Sequence, residues 1–122
     1  DDEMEIGIGI HGEPGTHREK LRPANEIAKM LVDQILADLD YKGHEVVVLI
    51  NGMGGTPLME LYIVNNFVQD YLKEQGVAVY DTMVGNYMTS IEMAGFSITL
   101  LRLDDELKGL YDAPADTLAW KK

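Results

Sequence analysis

The stretch EVVVLINGMGGTP, residues 45–57, decides the fold class of this chain. Its first six residues form a nearly continuous apolar run rich in β-branched side chains, which is typical of a strand covered on both faces. Residues 51–55 predict a tight turn, and Thr56 and Pro57 suit the N-cap and the first helical position of a following helix. A buried strand that leads directly into a helix indicates an α/β layered fold.

Helices and strands alternate on both sides of this stretch. Apolar residues recur at helical spacing in some segments, and β-branched or alternating apolar residues mark the others. The predicted elements are, in chain order, strand 5–10, helix 24–40, strand 45–50, helix 57–75, strand 77–87, strand 96–103 and helix 104–111. This order, β-α-β-α-β-β-α, predicts a two-layer α/β sandwich in which helices pack on a mixed sheet of about four strands. Residues 1–122 are predicted to form a single domain.

Individual residues mark the ends and faces of these elements. Gly76 is predicted to end the second helix as its C′ residue, and Asp104 to cap the last helix. Leu58 and Tyr62 are predicted on or near the buried face of the second helix, because they fall close to its apolar stripe. We expect Trp120, in the tail, to dock on the body of the domain.

The acidic composition limits the classes of partner. The 122 residues carry 10 Lys and Arg against 21 Asp and Glu, a formal net charge of −11. Such a charge argues against binding to nucleic acid or to an anionic membrane surface. The chain has no cysteine and three histidines, which excludes disulfides and thiolate metal sites and argues against a His-rich metal site. Its longest apolar runs are far shorter than the roughly 20 residues of a membrane-spanning helix, and we expect a cytoplasmic protein.

The start of the chain also carries an expectation. It opens with DDEMEIGIGI, without an initiator Met, and the strand pattern begins almost at once. We therefore expect a piece of a longer protein, in which any site found here is half of a site.

A second stretch, GIGIHGEPGTHR at residues 7–18, bears on function. Gly7, Gly9 and Gly12 match the spacing G-x-G-x-x-G of a dinucleotide-binding loop. That motif must follow a strand and open a helix, whereas the first two glycines here lie inside the predicted strand and no helix begins before about residue 23. The turn at 51–55 offers either an anion site at a helix N-terminus or a tight turn that needs positive φ; no lysine follows it, so it is not a P-loop.

His11 is the sharpest candidate in this stretch. The alternation of Ile6, Ile8 and Ile10 predicts a strand with these side chains toward the core, followed by a loop over 11–23, and His11 would stand at the strand's carboxyl end. Its imidazole could be a structural group bonded within a turn, or a nucleophile or proton acceptor exposed by the flanking glycines. Glu13 could hold one ring nitrogen as N–H, or could simply be a solvated surface residue.

Four motifs carry a resemblance to a known family. GIHGEPG, NGMGGTPLMELY, VGNYMTSIEMAGFSITLLRLDDEL and LYDAPADT together resemble the dihydroxyacetone kinase family, and specifically the carboxyl-terminal half of its substrate-binding subunit. The resemblance implies that His11 adds to the ketone carbon of dihydroxyacetone and holds it as a covalent hemiaminal. In our first hypothesis, built on this role of His11, Glu13 orients the imidazole, and Gly9, Gly12 and Gly15 shape the loop around it.

The resemblance also implies what lies outside this chain. The family's general base, an Asp, and much of the pocket belong to the preceding half of the subunit. ATP, or ADP acting as a phosphate carrier, binds with Mg on a separate domain or subunit, which in bacteria is often rephosphorylated by a phosphotransferase-system protein. We therefore expect this chain to bind no cofactor, to form a homodimer as part of the full subunit, and to be inactive alone. The alternative is a dihydroxyacetone-binding co-regulator of transcription that has lost phosphoryl transfer.

Overall fold

The computed structural model describes residues 2–122, so Asp1 of the predicted domain lies outside the described residues. The elements are β1 (Glu3–Ile6), β2 (His17–Lys20), α1 (Ala24–Asp38), β3 (Glu45–Gly52), α2 (Leu58–Glu74), β4 (Ala78–Gly85), β5 (Phe96–Leu103) and α3 (Asp105–Asp112). Within these residues, β3 is central in a three-stranded sheet of order β4-β3-β5, and β1 and β2 form a separate antiparallel pair. β3 runs parallel to β4 and antiparallel to β5, which confirms the mixed sheet.

The central strand is covered on both faces, as its sequence predicts. Val46, Val48 and Ile50 are fully buried and face the two long helices in the main core. Val47 points to the opposite face and is also buried. Its cross-strand neighbour Asp81 accepts a hydrogen bond from the Tyr111 hydroxyl at 2.7 Å, which places α3 over that face.

Two helices cover one face of the sheet. In α2 the buried side chains recur at spacings of three and four residues; they are Leu61, Val64, Val68 and Leu72. Leu58 and Tyr62 were predicted on or near this face, but both side chains are about half exposed because they lie beside the stripe. Gly76, at φ +76°, follows the helix as predicted. No helix within residues 2–122 is long and apolar enough to cross a membrane.

The amino-terminal prediction is wrong in two respects. The first strand ends at Ile6 rather than at residue 10, because Gly7 takes φ +76° and turns the chain out of the strand. Ile6 is buried, whereas Ile8 and Ile10 are exposed. The segment predicted as loop 11–23 contains β2, which pairs with β1. The predicted fourth strand is therefore part of a hairpin, and the main sheet has three strands in the described residues.

Two capping predictions differ in outcome. Asp104 caps α3 as predicted, since its carboxylate accepts a hydrogen bond from the Leu107 amide at 2.8 Å. Thr56 is not the N-cap of α2; Pro57 occupies that position, and the Thr56 hydroxyl donates to the Gly95 carbonyl at 2.8 Å. The threonine therefore ties the start of the helix to the residue before β5.

The tail docks on the body, as predicted for Trp120. Its ring packs against Tyr87 and Tyr111, with centroids 6.1 and 5.9 Å apart. The Lys122 ammonium lies 3.4 Å from the centroid of the Tyr111 ring and 3.2 Å from the Asp112 carboxylate. These contacts fold the last residues back over the end of α3.

Two glycine substitutions should have opposite effects on stability. A Cβ at Gly76 or at Gly109 would meet no heavy atom within 4 Å, but only Gly76 has positive φ. We expect Gly76→Ala to destabilise the fold by about 1–2 kcal/mol, the cost of a left-handed alanine. Gly109→Ala, inside α3, should stabilise it by about 0.5–1 kcal/mol. Urea unfolding followed by circular dichroism measures both, and shifts of the same sign would contradict the expectation.

Candidate functional site

His11 stands near the tip of a hairpin loop. We call residues 7–16, which join β1 to β2, the histidine loop. The imidazole side chain is 87% exposed. His11 was predicted at the carboxyl end of a strand of the main sheet; it instead lies five residues beyond the end of β1, because the strand stops at Ile6. The loop holds its own shape through Gly9, whose amide donates to the Glu13 carbonyl at 2.9 Å and whose carbonyl accepts from the Gly12 amide at 3.1 Å.

Glu13 is the carboxylate beside the imidazole. Its Oε2 accepts a hydrogen bond from the His11 backbone amide at 3.0 Å, and its Oε1 lies 3.4 Å from His11 Nδ1. When Nδ1 carries the proton, the lone pair of the neutral ring is on Nε2. The structure thus brings together the two residues that the sequence singles out. Their chemical roles remain a prediction.

The three predicted loop glycines meet different constraints. A Cβ at Gly9 would overlap the Glu13 side chain, so this glycine leaves the space in which the carboxylate lies. Gly12 has φ +84°, a conformation that side chains disfavour, and it turns the chain after His11. A Cβ at Gly15 would overlap the Ile6 carbonyl and approach Glu5 Cγ to 2.8 Å.

The base of the histidine loop is closed by groups that the sequence reasoning missed. The Thr16 amide and hydroxyl both donate to the Ile6 carbonyl, at 2.7 and 3.2 Å. Glu5 Oε1 accepts from the Gly15 amide at 2.8 Å, and Glu5 Oε2 lies 3.4 Å from an Arg18 guanidinium nitrogen. In the sequence Glu5 is only the polar member of an alternating strand, and nothing in that pattern shows a bond to a residue ten positions later.

The other glycine-rich motif, residues 51–55, lies at the carboxyl end of β3, the central strand of the main sheet. Asn51, 2% exposed near the end of β3, accepts from the amides of Tyr87 and Met88 at 2.9 Å each and donates to the Met88 carbonyl at 2.7 Å. Gly54 has φ +99°, and a Cβ there would overlap the Ser90 carbonyl. Positive φ and close approach thus account for this glycine, and favour the tight-turn interpretation of residues 51–55 over an anion site.

The ionisable groups with perturbed pKa values lie on α1, β4 and α3, away from the histidine loop. Hydrogen bonds from Tyr80 and Lys122 hold the pKa of Asp112 below its usual value. Burial, and then the hydrogen bond to Asp81, raise the pKa of Tyr111 well above its usual range.

Two surface cavities lie away from the histidine loop. The first, about 220 Å³, is lined by Asp81, Met83, Tyr87, Tyr111 and residues 119–122. The second, about 300 Å³, is lined by residues of α1 and the segment that follows it, with Gln75 and Val77. Among residues 2–122, no three His, Asp or Glu side chains come together in a way that could hold a metal ion.

Comparison with known sequences identifies related proteins. The chain matches the Dak1 domain over residues 1–119. It is 53% identical over 122 residues to the dihydroxyacetone-binding subunit DhaK of PTS-dependent dihydroxyacetone kinase 1 from Listeria innocua, covering 98% of this chain and 37% of that protein. It is 42% identical over 120 residues to D-erythrulose kinase from Mycolicibacterium smegmatis, covering 98% of this chain and 21% of that enzyme. The chain thus spans well under half the length of these relatives.

Solved structures give a consistent comparison. A structure described as regulation of the dha operon of Lactococcus lactis superposes with a TM-score of 0.89 at 39% identity, over 99% of this chain and 39% of the other. The dihydroxyacetone kinase operon co-activator Dha-DhaQ gives 0.84 at 39% identity, over 93% and 36%. Dihydroxyacetone kinase from C. freundii, with AMP-PNP and Mg²⁺, gives 0.79 at 26% identity, over 98% and 22%. These matches confirm the α/β fold class.

We expect Asn51 to stabilise the carboxyl end of β3 and the loop after β4. Asn51→Ala removes the side-chain oxygen and nitrogen that hydrogen-bond to the loop after β4. The substitution should destabilise the fold by about 1–3 kcal/mol, because the Tyr87 and Met88 amides lose their partner. Asn66→Ala, on the exposed side of α2, is the matched control and should be neutral or slightly stabilising. Equal stability of the two variants in urea unfolding would show that the loop does not depend on Asn51.

Proposed function

Because the chain belongs to the Dak1 domain family, we propose that it carries the substrate anchor of a dihydroxyacetone kinase, with His11 as the nucleophile. The observation that carries the proposal is the exposed imidazole beside Glu13, on a loop that glycines keep open. The name and 53% identity of the Listeria subunit support dihydroxyacetone as the substrate. The kinase activity belongs to the complete protein, of which this chain supplies the anchoring part.

The chemistry of the anchor follows from the two ring nitrogens. The Nε2 lone pair of neutral His11 attacks the ketone carbon; a carbon–nitrogen bond forms and the carbonyl π electrons move to oxygen. The oxygen takes a proton from solvent, and Nδ1 gives up its proton to Glu13 or to solvent, so that the product is a neutral hemiaminal. Glu13, 3.4 Å from Nδ1, orients the ring and stabilises the positive charge that develops on it during the attack.

The covalent tether accounts for selectivity among small substrates. A three-carbon ketone offers few contacts, so its binding energy from packing and hydrogen bonds is small. A bond to the carbonyl carbon adds a requirement that polyols such as glycerol cannot meet, because they have no carbonyl group. The similarity to an erythrulose kinase makes four-carbon ketoses the alternative substrates of the same mechanism.

Nucleotide and Mg²⁺ are proposed to bind a different domain or subunit. The glycine turn at 51–55 does not fit the phosphates of a nucleoside triphosphate, because no lysine follows it and the Thr56 hydroxyl already donates a hydrogen bond to the Gly95 carbonyl. We propose that the general base and the remaining pocket wall come from the preceding half of the subunit. A phosphotransferase relay, as in the name of the Listeria protein, and a homodimeric full subunit complete the proposal. The cytoplasmic location remains a prediction.

A second candidate function is supported by a specific observation. Of the solved structures that superpose on this chain, one is described as regulation of the dha operon and another as a dihydroxyacetone kinase operon co-activator, each at 39% identity. A dihydroxyacetone-binding regulator would use the same tether without transferring phosphate. Phosphoryl transfer to dihydroxyacetone by the full-length protein, mixed with its nucleotide-binding partner, distinguishes the two, since only the kinase turns over.

The tether predicts a spectroscopic change that depends on His11. With carbonyl-labelled dihydroxyacetone and the full-length protein, carbon NMR should show a tetrahedral carbon in place of the bound ketone. His11→Ala should abolish this signal because the nucleophile is gone, whereas His17→Ala, an exposed histidine at the start of β2, should retain it. A tetrahedral signal in His11→Ala would refute the assignment.

The orienting role of Glu13 predicts a slower adduct. Glu13→Gln keeps an oxygen for the His11 amide but removes the negative charge beside Nδ1, so adduct formation should slow by about tenfold. Glu26→Gln, at an exposed position in the first turn of α1, makes the same change away from the loop and should leave the rate unaltered. Stopped-flow binding measures the rates, and equal rates in both variants would exclude a role for the carboxylate.

A further inference from the structure

We propose that Glu5 is a positioning residue that sets the place of His11, an inference that rests on the proposed function. Glu5 lies in β1, before the histidine loop, and does not touch the imidazole in the contacts described above. Its side chain is only 29% exposed, whereas that of His11 is 87% exposed. A carboxylate this shielded, next to a loop that bears a nucleophile, needs a structural reason.

The contacts of Glu5 join the two ends of the histidine loop at its base. Oε1 accepts from the Gly15 amide at 2.8 Å, and Oε2 faces the Arg18 guanidinium at 3.4 Å. A Cβ at Gly15 would come within 2.8 Å of Glu5 Cγ, so the glycine is packed directly on the glutamate stem. The Glu5 carboxylate therefore holds β1 to the end of the histidine loop and to β2.

A short path, part covalent and part through Glu13's contacts, leads from this contact to the imidazole. Gly15 is joined to Glu13 through Pro14, whose ring fixes one backbone torsion. Glu13 in turn contacts His11 through both the backbone amide and Nδ1. The order Glu5, Gly15, Pro14, Glu13, His11 thus connects the partly buried base of the loop to its exposed nucleophile.

Loss of this contact should lower the effective concentration of the nucleophile. Without Glu5 the returning chain is held at the loop's base by Thr16 bonding to Ile6, and residues 7–15 gain freedom. Attack on a carbonyl requires the nitrogen within about 3–3.5 Å of the carbon with its lone pair directed at that carbon, so a looser loop reaches this geometry less often. The equilibrium constant for the hemiaminal should fall even though His11 and Glu13 are unchanged.

The experiment separates the effect of side-chain length at position 5 from the effect of its charge. Glu5→Gln keeps the side-chain length and an oxygen for the Gly15 amide but removes the charge. Glu5→Asp keeps the charge but is one methylene shorter and cannot reach Gly15. Glu3→Gln, at an exposed position of the same strand, is the control. Each is made in the full-length subunit, and carbon NMR with carbonyl-labelled dihydroxyacetone measures the adduct equilibrium, while amide exchange at Gly15 measures the contact itself.

For Glu5→Gln and Glu3→Gln we expect an equilibrium constant for the hemiaminal within about twofold of wild type. For Glu5→Asp we expect a constant about tenfold lower, together with faster exchange of the Gly15 amide. The reverse order for Glu5→Gln and Glu5→Asp would show that charge rather than position matters, and would overturn the inference. Equal adduct in all variants would also overturn it. No adduct in wild type would refute the proposed function, and the positioning role with it; Gly15 exchange would then show whether the contact exists as a purely structural one.

Discussion

Burial of β3 on both faces is the constraint on which the rest of the fold depends. Where a strand is paired on both edges and covered on both faces, its buried residues have no access to water, so every polar group there must be matched within the protein. Val46, Val48 and Ile50 meet this demand by being apolar. Near the strand's carboxyl end the chain must leave the core, and Asn51 is the polar side chain that lies there, with its amide bonded to the loop after β4 and to Ser97 of β5. The glycine-rich turn is thus a consequence of how tightly this edge is packed.

The histidine loop is built on a different principle. It lies on the β1–β2 hairpin, outside the main core cluster, and its order comes from hydrogen bonds at its base and within itself. Ile6 is buried, but the loop itself exposes Ile8 and Ile10. Hydrogen bonds of this kind stabilise modestly and depend strongly on geometry. The fold therefore separates a stable three-stranded core from a locally ordered loop that carries the candidate nucleophile.

This division explains what could be predicted from the sequence. β3, α2, β5 and the Asp104 cap were predicted closely, because burial and capping leave periodic or local signals. β2 was missed, since its residues, HREK, are polar and carry no alternation. The early end of β1 at Ile6 depends on positive φ at Gly7, which a run of alternating isoleucines conceals. His11 could be singled out because glycines flank it, and Glu13 because it lies two residues later, whereas the hydrogen bond from the Gly15 amide to Glu5 is a product of the hairpin's register.

An exposed imidazole on a loop also constrains how such a chain can recognise a small ketone. Within this chain the His11 side chain is 87% exposed, so these residues alone do not provide the apolar enclosure of most small-molecule sites; in the function proposed above, the remaining pocket wall comes from the preceding half of the subunit. In the proposed mechanism a covalent bond adds to the binding energy, but only if the nucleophile is held in a narrow range of positions. The proposed tether therefore requires order in the histidine loop. The glycines that free the imidazole would by themselves make the loop flexible, and the two carboxylates, one at the base and one beside the ring, are the groups that restore its order. Whether the full protein transfers phosphate or regulates transcription, this requirement on the anchor is the same.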